Sequence, residues 1–273
     1  MQRNNILQII KKEMEKRRQQ AQLKVHWENY NTNGAQPGSA VVVNINGEEK
    51  FFPSYSDYFF DKWKLVTFID QHNKHMLQFG ASTGVFLKKY QDNGWQVMAY
   101  DYSGEAVKSL QEKHLPAKQI DLNSVSSSHQ LNYDSDLTAD LSSASNIVSV
   151  RILQYLTPEA MCLLVAALMD KAQPNSVFFF VNSIKSEQEV RPTDSEELNR
   201  NYIKSFFSPR TDMQILFSKA TDDADQQYKM GESLDEVLVC KKRKSYSLKP
   251  LTKQSATKPH HGSAFFNRCF KIN

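Results

Sequence analysis

The sequence predicts an α/β domain: a mostly parallel sheet with helices on both faces, ending in an antiparallel hairpin. Three observations carry this expectation. Between residues 76 and 181, short apolar runs alternate with stretches of helical periodicity. The strongest helical stretch, Thr157–Ala172 with Pro158 in its first turn, lies between two β-rich runs, Asn146–Val150 and Val177–Val181. The last two runs, Met213–Lys219 and Leu234–Lys241, are joined by a segment with no convincing helix, which suits a hairpin better than a crossover.

Residues 5–29 read as a helix, with Ile6, Ile9, Ile10, Met14 and Leu23 loosely at helical intervals. The turn residues of Asn31–Ser39 end it. Ala40–Ile45 is a short apolar run before the turn signal Asn46-Gly47. Periodicity resumes near Ser56, a candidate N-cap, and continues through Phe59, Phe60, Trp63, Val66 and Ile69. The alternation then begins. Met76–Phe79 is a strand, Gly80–Gly84 a small-residue turn, and Val85–Asn93 a helix with Val85, Phe86 and Tyr90 inward. Gln96–Tyr100 is the second strand, Gly104–Lys113 the second helix, and Gln119–Leu122 the third strand. Residues 124–145, rich in Ser and Asp, read as a loop with a weak helix, and Thr193–Lys204 as helical.

The chain has 273 residues, 40% hydrophobic and 23% charged, as expected of a globular protein with a sizeable core. Its longest clean apolar run, Met161–Met169, is about half the length of a membrane span. No secretory leader is expected, because Met1–Asn5 is polar and the first apolar cluster ends at Lys11. Cys162, Cys240 and Cys269 are too few and too scattered to read as a disulfide framework or zinc site. The seven histidines show no metal spacing, so no metal is expected. A cytoplasmic setting follows as the default. The net charge of +4 is unevenly spread. Residues 1–25 carry seven Lys/Arg against two Glu, and residues 241–273 carry nine Lys/Arg and no acid. An acidic body with two basic ends is not a uniformly basic nucleic-acid binder.

Ligands in open α/β sheets sit beyond the carboxyl ends of strands, near the point where strand order reverses. Three features fall at such ends in succession. Gln78-Phe79-Gly80-Ala81-Ser82-Thr83-Gly84 follows the first strand, and its small residues let backbone approach a ligand. Asp101 closes the second strand, where a carboxylate can accept from both hydroxyls of a ribose. Asp121 comes after Lys118-Gln119-Ile120, where a carboxylate can accept from an exocyclic amine.

In order and spacing this arrangement resembles the class I S-adenosylmethionine (SAM)-dependent methyltransferase family, over roughly residues 50–243. Downstream, Asn146–Leu156 looks like the family's fourth strand with its following motif, and Ala172–Val177 like the turn before its fifth. The resemblance implies a three-layer Rossmann-like fold with a seven-stranded sheet and an N-terminal helical extension. It implies three regions: 1–50 as a helical cap, 51–243 as the SAM-binding domain and 244–273 as a basic tail. It also implies SAM as cofactor, with Gly80, Ala81, Ser82 and Gly84 against its methionine and ribose part. Asp101 would hold the ribose hydroxyls, Tyr102 would lie on adenine, Asp121 would bind the adenine amine beside Leu122, and Val150 and Arg151 would face the methionine portion. The family's motif usually begins with an acid, where this chain has Gln78, and has a central glycine, where this chain has Ser82.

Gly80-Ala-Ser-Thr-Gly84 is also similar to the turn of short-chain dehydrogenases, but Phe86 stands where their third glycine belongs. The only Tyr-x-x-x-Lys, Tyr58 to Lys62, precedes the turn instead of following it. Arg151-Ile-Leu-Gln154 occupies the place of the Asn/Asp-Pro-Pro-Tyr motif of DNA amino-group methylation, which leaves a small-molecule or protein acceptor. Tyr30, Tyr58 and Tyr155 are the candidates for acceptor contact. Methyl transfer needs mainly alignment, so no catalytic side chain is named. The alternative function is a methyltransferase-fold binding module without catalysis. The basic ends could contact an anionic partner.

Overall fold

The computed structural model describes residues 41–45, 48–123, 135–184, 204, 207, 212–220 and 234–243. The expected helix over 5–29 lies outside them, as does that over Thr193–Lys204 except for Lys204, which is helical. Two strands, β1 (Val41–Ile45) and β2 (Glu48–Phe52), form an antiparallel hairpin across Asn46-Gly47, so the region expected as a helical cap ends in β-structure. Val41 and Phe52 are buried in the core of the main domain. Helix α1 runs Tyr55–Lys62. Its N-cap is Ser54, not Ser56: the Ser54 hydroxyl accepts from the Asp57 N–H at 3.0 Å. Lys64 takes a left-handed backbone (φ 52°), which ends the helical path, and Leu65–Phe68 forms a separate 3-10 turn.

The alternation follows as expected: β3 (His75–Phe79), α2 (Val85–Asp92), β4 (Gln96–Asp101), α3 (Gly104–Glu112), β5 (Ala117–Gln119), α4 (Ser135–Ser143), β6 (Asn146–Val150), α5 (Pro158–Lys171) and β7 (Val177–Ile184). A second 3-10 turn, Leu153–Tyr155, leads into α5. Strand β5 lies two residues earlier than the sequence suggested, so Asp121 stands past the strand in the following loop. In α2 Leu87 is buried and Val85 is exposed, reversing the expected inward role of Val85. Strands β8 (Met213–Ala220) and β9 (Leu234–Lys242) complete a seven-stranded sheet of order β5-β4-β3-β6-β7-β9-β8.

Strands β3 to β7 pair in parallel, and β9 inserts antiparallel between β7 and β8. The reason is visible in the residues. All five residues of β6 are buried, as a strand covered on both faces requires. On one face α1, α2 and α3 contribute Phe59, Phe86 and Leu110 to a core with Met76, Val148 and Phe179. On the other, α4 and α5 contribute Leu137, Leu141, Leu164 and Leu168 against Leu77, Ile147 and Phe178. Strand order reverses at β3, with β4 on one side and β6 on the other. A crevice is therefore expected at the carboxyl ends of these strands.

Candidate functional site

The turn after β3 is built by backbone geometry. Gly80 has φ +69°, and its N–H donates to the Tyr100 carbonyl at 2.7 Å, hooking the turn onto β4. A Cβ at Gly80 would stand 2.1 Å from Ile152 Cδ1, so any side chain there must push Ile152 aside, in a backbone conformation that favours glycine. Gly84, with φ +72°, leads into α2, and a Cβ there would meet Leu110 and Leu115 at 2.3 and 2.5 Å. Between them Ser82 also adopts a left-handed backbone, φ 46°. Its N–H donates to Asp101 Oδ2 at 2.9 Å, while the Ser103 N–H donates to Asp101 Oδ1 at 3.1 Å. Asp101 thus ties the turn to the start of α3.

Beyond these groups opens a cleft of ≈ 850 Å³, counted to its open mouth. Gly80, Ser82, Asp101 and Tyr102 line one part of it; Ile120, Asp121, Leu122 and Asn123 line another. Ile152, Tyr155 and Leu156, from the segment between β6 and α5, also line it, with Phe79 and Tyr100. The arrangement is an apolar slot with two carboxylates, Asp101 and Asp121, among its walls.

No family model and no curated protein sequence matches the chain. Solved structures do. The cyclase SpnF overlays with a TM-score of 0.58 at 12% identity, over 81% of this chain and 95% of that one. A chain from the complex of the Haloferax volcanii Trm112 methyltransferase activator with a methyltransferase overlays at 0.50 and 12% identity, over 70% of this chain and 91% of that one. A SAM-dependent methyltransferase from Archaeoglobus fulgidus overlays more loosely, at 0.47 and 14% identity, over 69% of this chain and all (100%) of its own. The chain has the class I methyltransferase fold.

Within this methyltransferase fold the expected residues separate into two groups. Gly80, Ser82, Asp101, Tyr102, Asp121, Leu122 and Tyr155 meet at the cleft. Gln78, Ala81, Gly84, Val150, Arg151 and Tyr58 do not line it. Ala81 and Val150 are buried in the core on the α1 face. Tyr58 is 2% exposed and packs edge-on against Phe52 and Phe59, which explains why it does not face the cleft. Gln78 is buried beneath α1: its Nε2 donates to Ser56 Oγ at 3.1 Å, and its Oε1 has no partner among the described residues. Tyr30 lies outside the described residues.

Arg151 occupies a left-handed backbone position (φ 56°) just past β6, and its N–H donates to the Val181 carbonyl at 2.7 Å. Its guanidinium lies over the Tyr55 ring at 4.4 Å and pairs with Asp235 at 3.1 Å. It joins α1, β6 and β9 on the side away from the α5 core. The cleft residues that sequence reasoning missed are mainly apolar or aromatic: Phe79, Tyr100, Ile120, Ile152 and Leu156. Nothing in their type marks them apart from core residues. Asn123, two positions after Asp121, is the polar one, and a turn-forming residue so close to a strand-end carboxylate was a usable signal.

Proposed function

We propose that the chain binds SAM in this cleft and transfers its methyl group to a small-molecule or protein acceptor. One observation carries the reading: three successive strand ends, at Gly80, Asp101 and Asp121, converge on one apolar slot. The residues suit the cofactor. Asp101 and Asp121 bring carboxylates to the cleft, the chemistry that suits ribose hydroxyls and the adenine amine, and the apolar walls exclude water from the ring. When bound, the cofactor supplies a methyl group activated by the sulfonium charge. The chain's own task is to hold and align, so the rate advantage comes from proximity and orientation.

Calorimetric titration with SAM and S-adenosylhomocysteine tests the premise. Turnover of SAM to S-adenosylhomocysteine in the presence of cell extract tests catalysis. Binding with turnover is the expected result. Binding without turnover would favour the second reading, a methyltransferase-fold binding module, which the amide of Gln78 in place of an acid supports. Absence of binding would overturn both.

The cytoplasmic setting and the basic ends as contacts for an anionic partner belong to the same proposal, as does the division at residues 50 and 243. Among the described residues no helix is long and apolar enough to cross a membrane.

A further inference from the structure

We infer that Asn123 is a clip that sets the geometry of the adenine end of the cleft, a positioning residue for nucleobase specificity. The inference rests on the cofactor reading above. Asn123 lies in the loop after β5, two residues past Asp121. Its side-chain Nδ2 donates to the Tyr155 carbonyl at 2.9 Å, and its Oδ1 accepts from the Thr157 N–H at 2.8 Å. The amide therefore pairs with the C=O and N–H that flank Leu156, much as the backbone of a neighbouring strand would. Its own N–H donates to Asp121 Oδ1 at 3.0 Å.

Two cleft walls meet in these three bonds. One carries Asp121 and Leu122; the other carries Tyr155 and Leu156. The second wall is in turn anchored on α5, because Thr157 caps that helix by accepting from the Ala160 N–H at 3.2 Å. Asparagine is suited to the task by its chemistry. Aspartate of the same shape accepts from Thr157 but cannot donate to Tyr155, and glutamine is one methylene longer. Asn123 thus couples the orientation of the carboxylate that would read the exocyclic amine to the spacing of the walls that would hold the ring.

The test compares wild type with Asn123→Asp and Asn123→Ala by calorimetry. The probes are S-adenosylhomocysteine and S-inosylhomocysteine, which carries an oxo group in place of the amine. Wild type is expected to prefer the adenine ligand. Both variants should bind it roughly tenfold more weakly, and the preference over the inosine ligand should shrink. A role in folding alone would lower the melting temperature and leave that preference intact. Thr157→Ala, which loses the α5 cap but keeps the clip's N–H, supplies the comparison at reduced stability and should keep the preference. Variants with wild-type affinity and wild-type preference would overturn the clip alone. A wild type that binds neither ligand would overturn the cofactor reading and the clip with it.

Discussion

Asp101 shows how one side chain serves the backbone and a ligand together. Its two oxygens accept from Ser82 and Ser103, so the residue expected to hold the ribose also shapes the turn beside it. Asp101→Asn keeps the shape but removes the charge and one acceptor. It should weaken SAM binding about tenfold or more, since a charge-assisted hydrogen bond contributes roughly 1.5–3 kcal/mol; an unchanged dissociation constant would remove Asp101 from the site. At Ser82 the left-handed backbone costs about 1 kcal/mol relative to glycine. Ser82→Gly relieves that strain but loosens the unfolded chain by a comparable amount. Its melting temperature should stay close to wild type while SAM affinity is kept or raised. Gly80→Val should abolish binding, although by a different route than the turn alone implied: the added carbons strike Ile152, a cleft wall, in a backbone conformation that valine resists. Normal binding by a folded Gly80→Val protein would place the ligand elsewhere. His75, at the start of β3, titrates below the ordinary histidine range chiefly because burial disfavours its charged form, with Asp140 opposing. The unfolded chain therefore binds more protons as pH falls below about 6.5. Stability should be full above that pH and decline below it, and His75→Asn should lessen the decline in urea midpoints measured from pH 7 to 5.

Among the elements, α1 is the most instructive, because three different interactions fasten it over the strand ends. Phe59 and Phe60 enter the core, Ser56 takes the Gln78 amide, and Tyr55 lies under Arg151. Arg151 is half hidden between α1 and β9, and its pair with Asp235 is shielded more than a surface pair would be. Removing it loses the ion pair and the cation–π contact together. Arg151→Ala should destabilise the domain by about 2 kcal/mol, between the values for exposed and buried pairs, as read from denaturant unfolding. SAM affinity should change little, because the guanidinium does not line the cleft. A large loss of affinity with unchanged stability would instead place Arg151 against the methionine portion, as the family resemblance alone implied.

At the scale of the molecule the sheet order explains where the site lies and where the chain can be cut. Strand β9 is interior, held by β7 on one side and β8 on the other, so a cut before Lys242 would open the sheet. Removing residues 245–273 leaves every described strand intact. The truncated protein should keep its SAM affinity and lose salt-sensitive binding to an anionic partner. A truncated protein that no longer binds SAM would show instead that the tail contributes to the cofactor site. The fold itself does not choose the reaction, for SpnF, which shares it, is a [4+2]-cyclase.

The sequence by itself determined the alternation, the closing hairpin and the three strand-end features. Each is a local pattern: short apolar runs, helical spacing, and Gly or Asp at a fixed place after a run. Asp101 was legible because it ends a strand, and Thr157-Pro158 because capping is a matter of adjacent residues. Tertiary structure alone decided which face each neighbouring residue took. Val150 and Arg151 stand beside the cleft segment in sequence, yet one is buried in the core and the other is drawn to Asp235, 84 positions away. Tyr58 and Tyr155 look alike as aromatic candidates, but a helix packed on the sheet buries the first and a 3-10 turn presents the second. Such choices depend on long-range contacts, and spacing along the chain carries no record of which distant side chain waits across the gap.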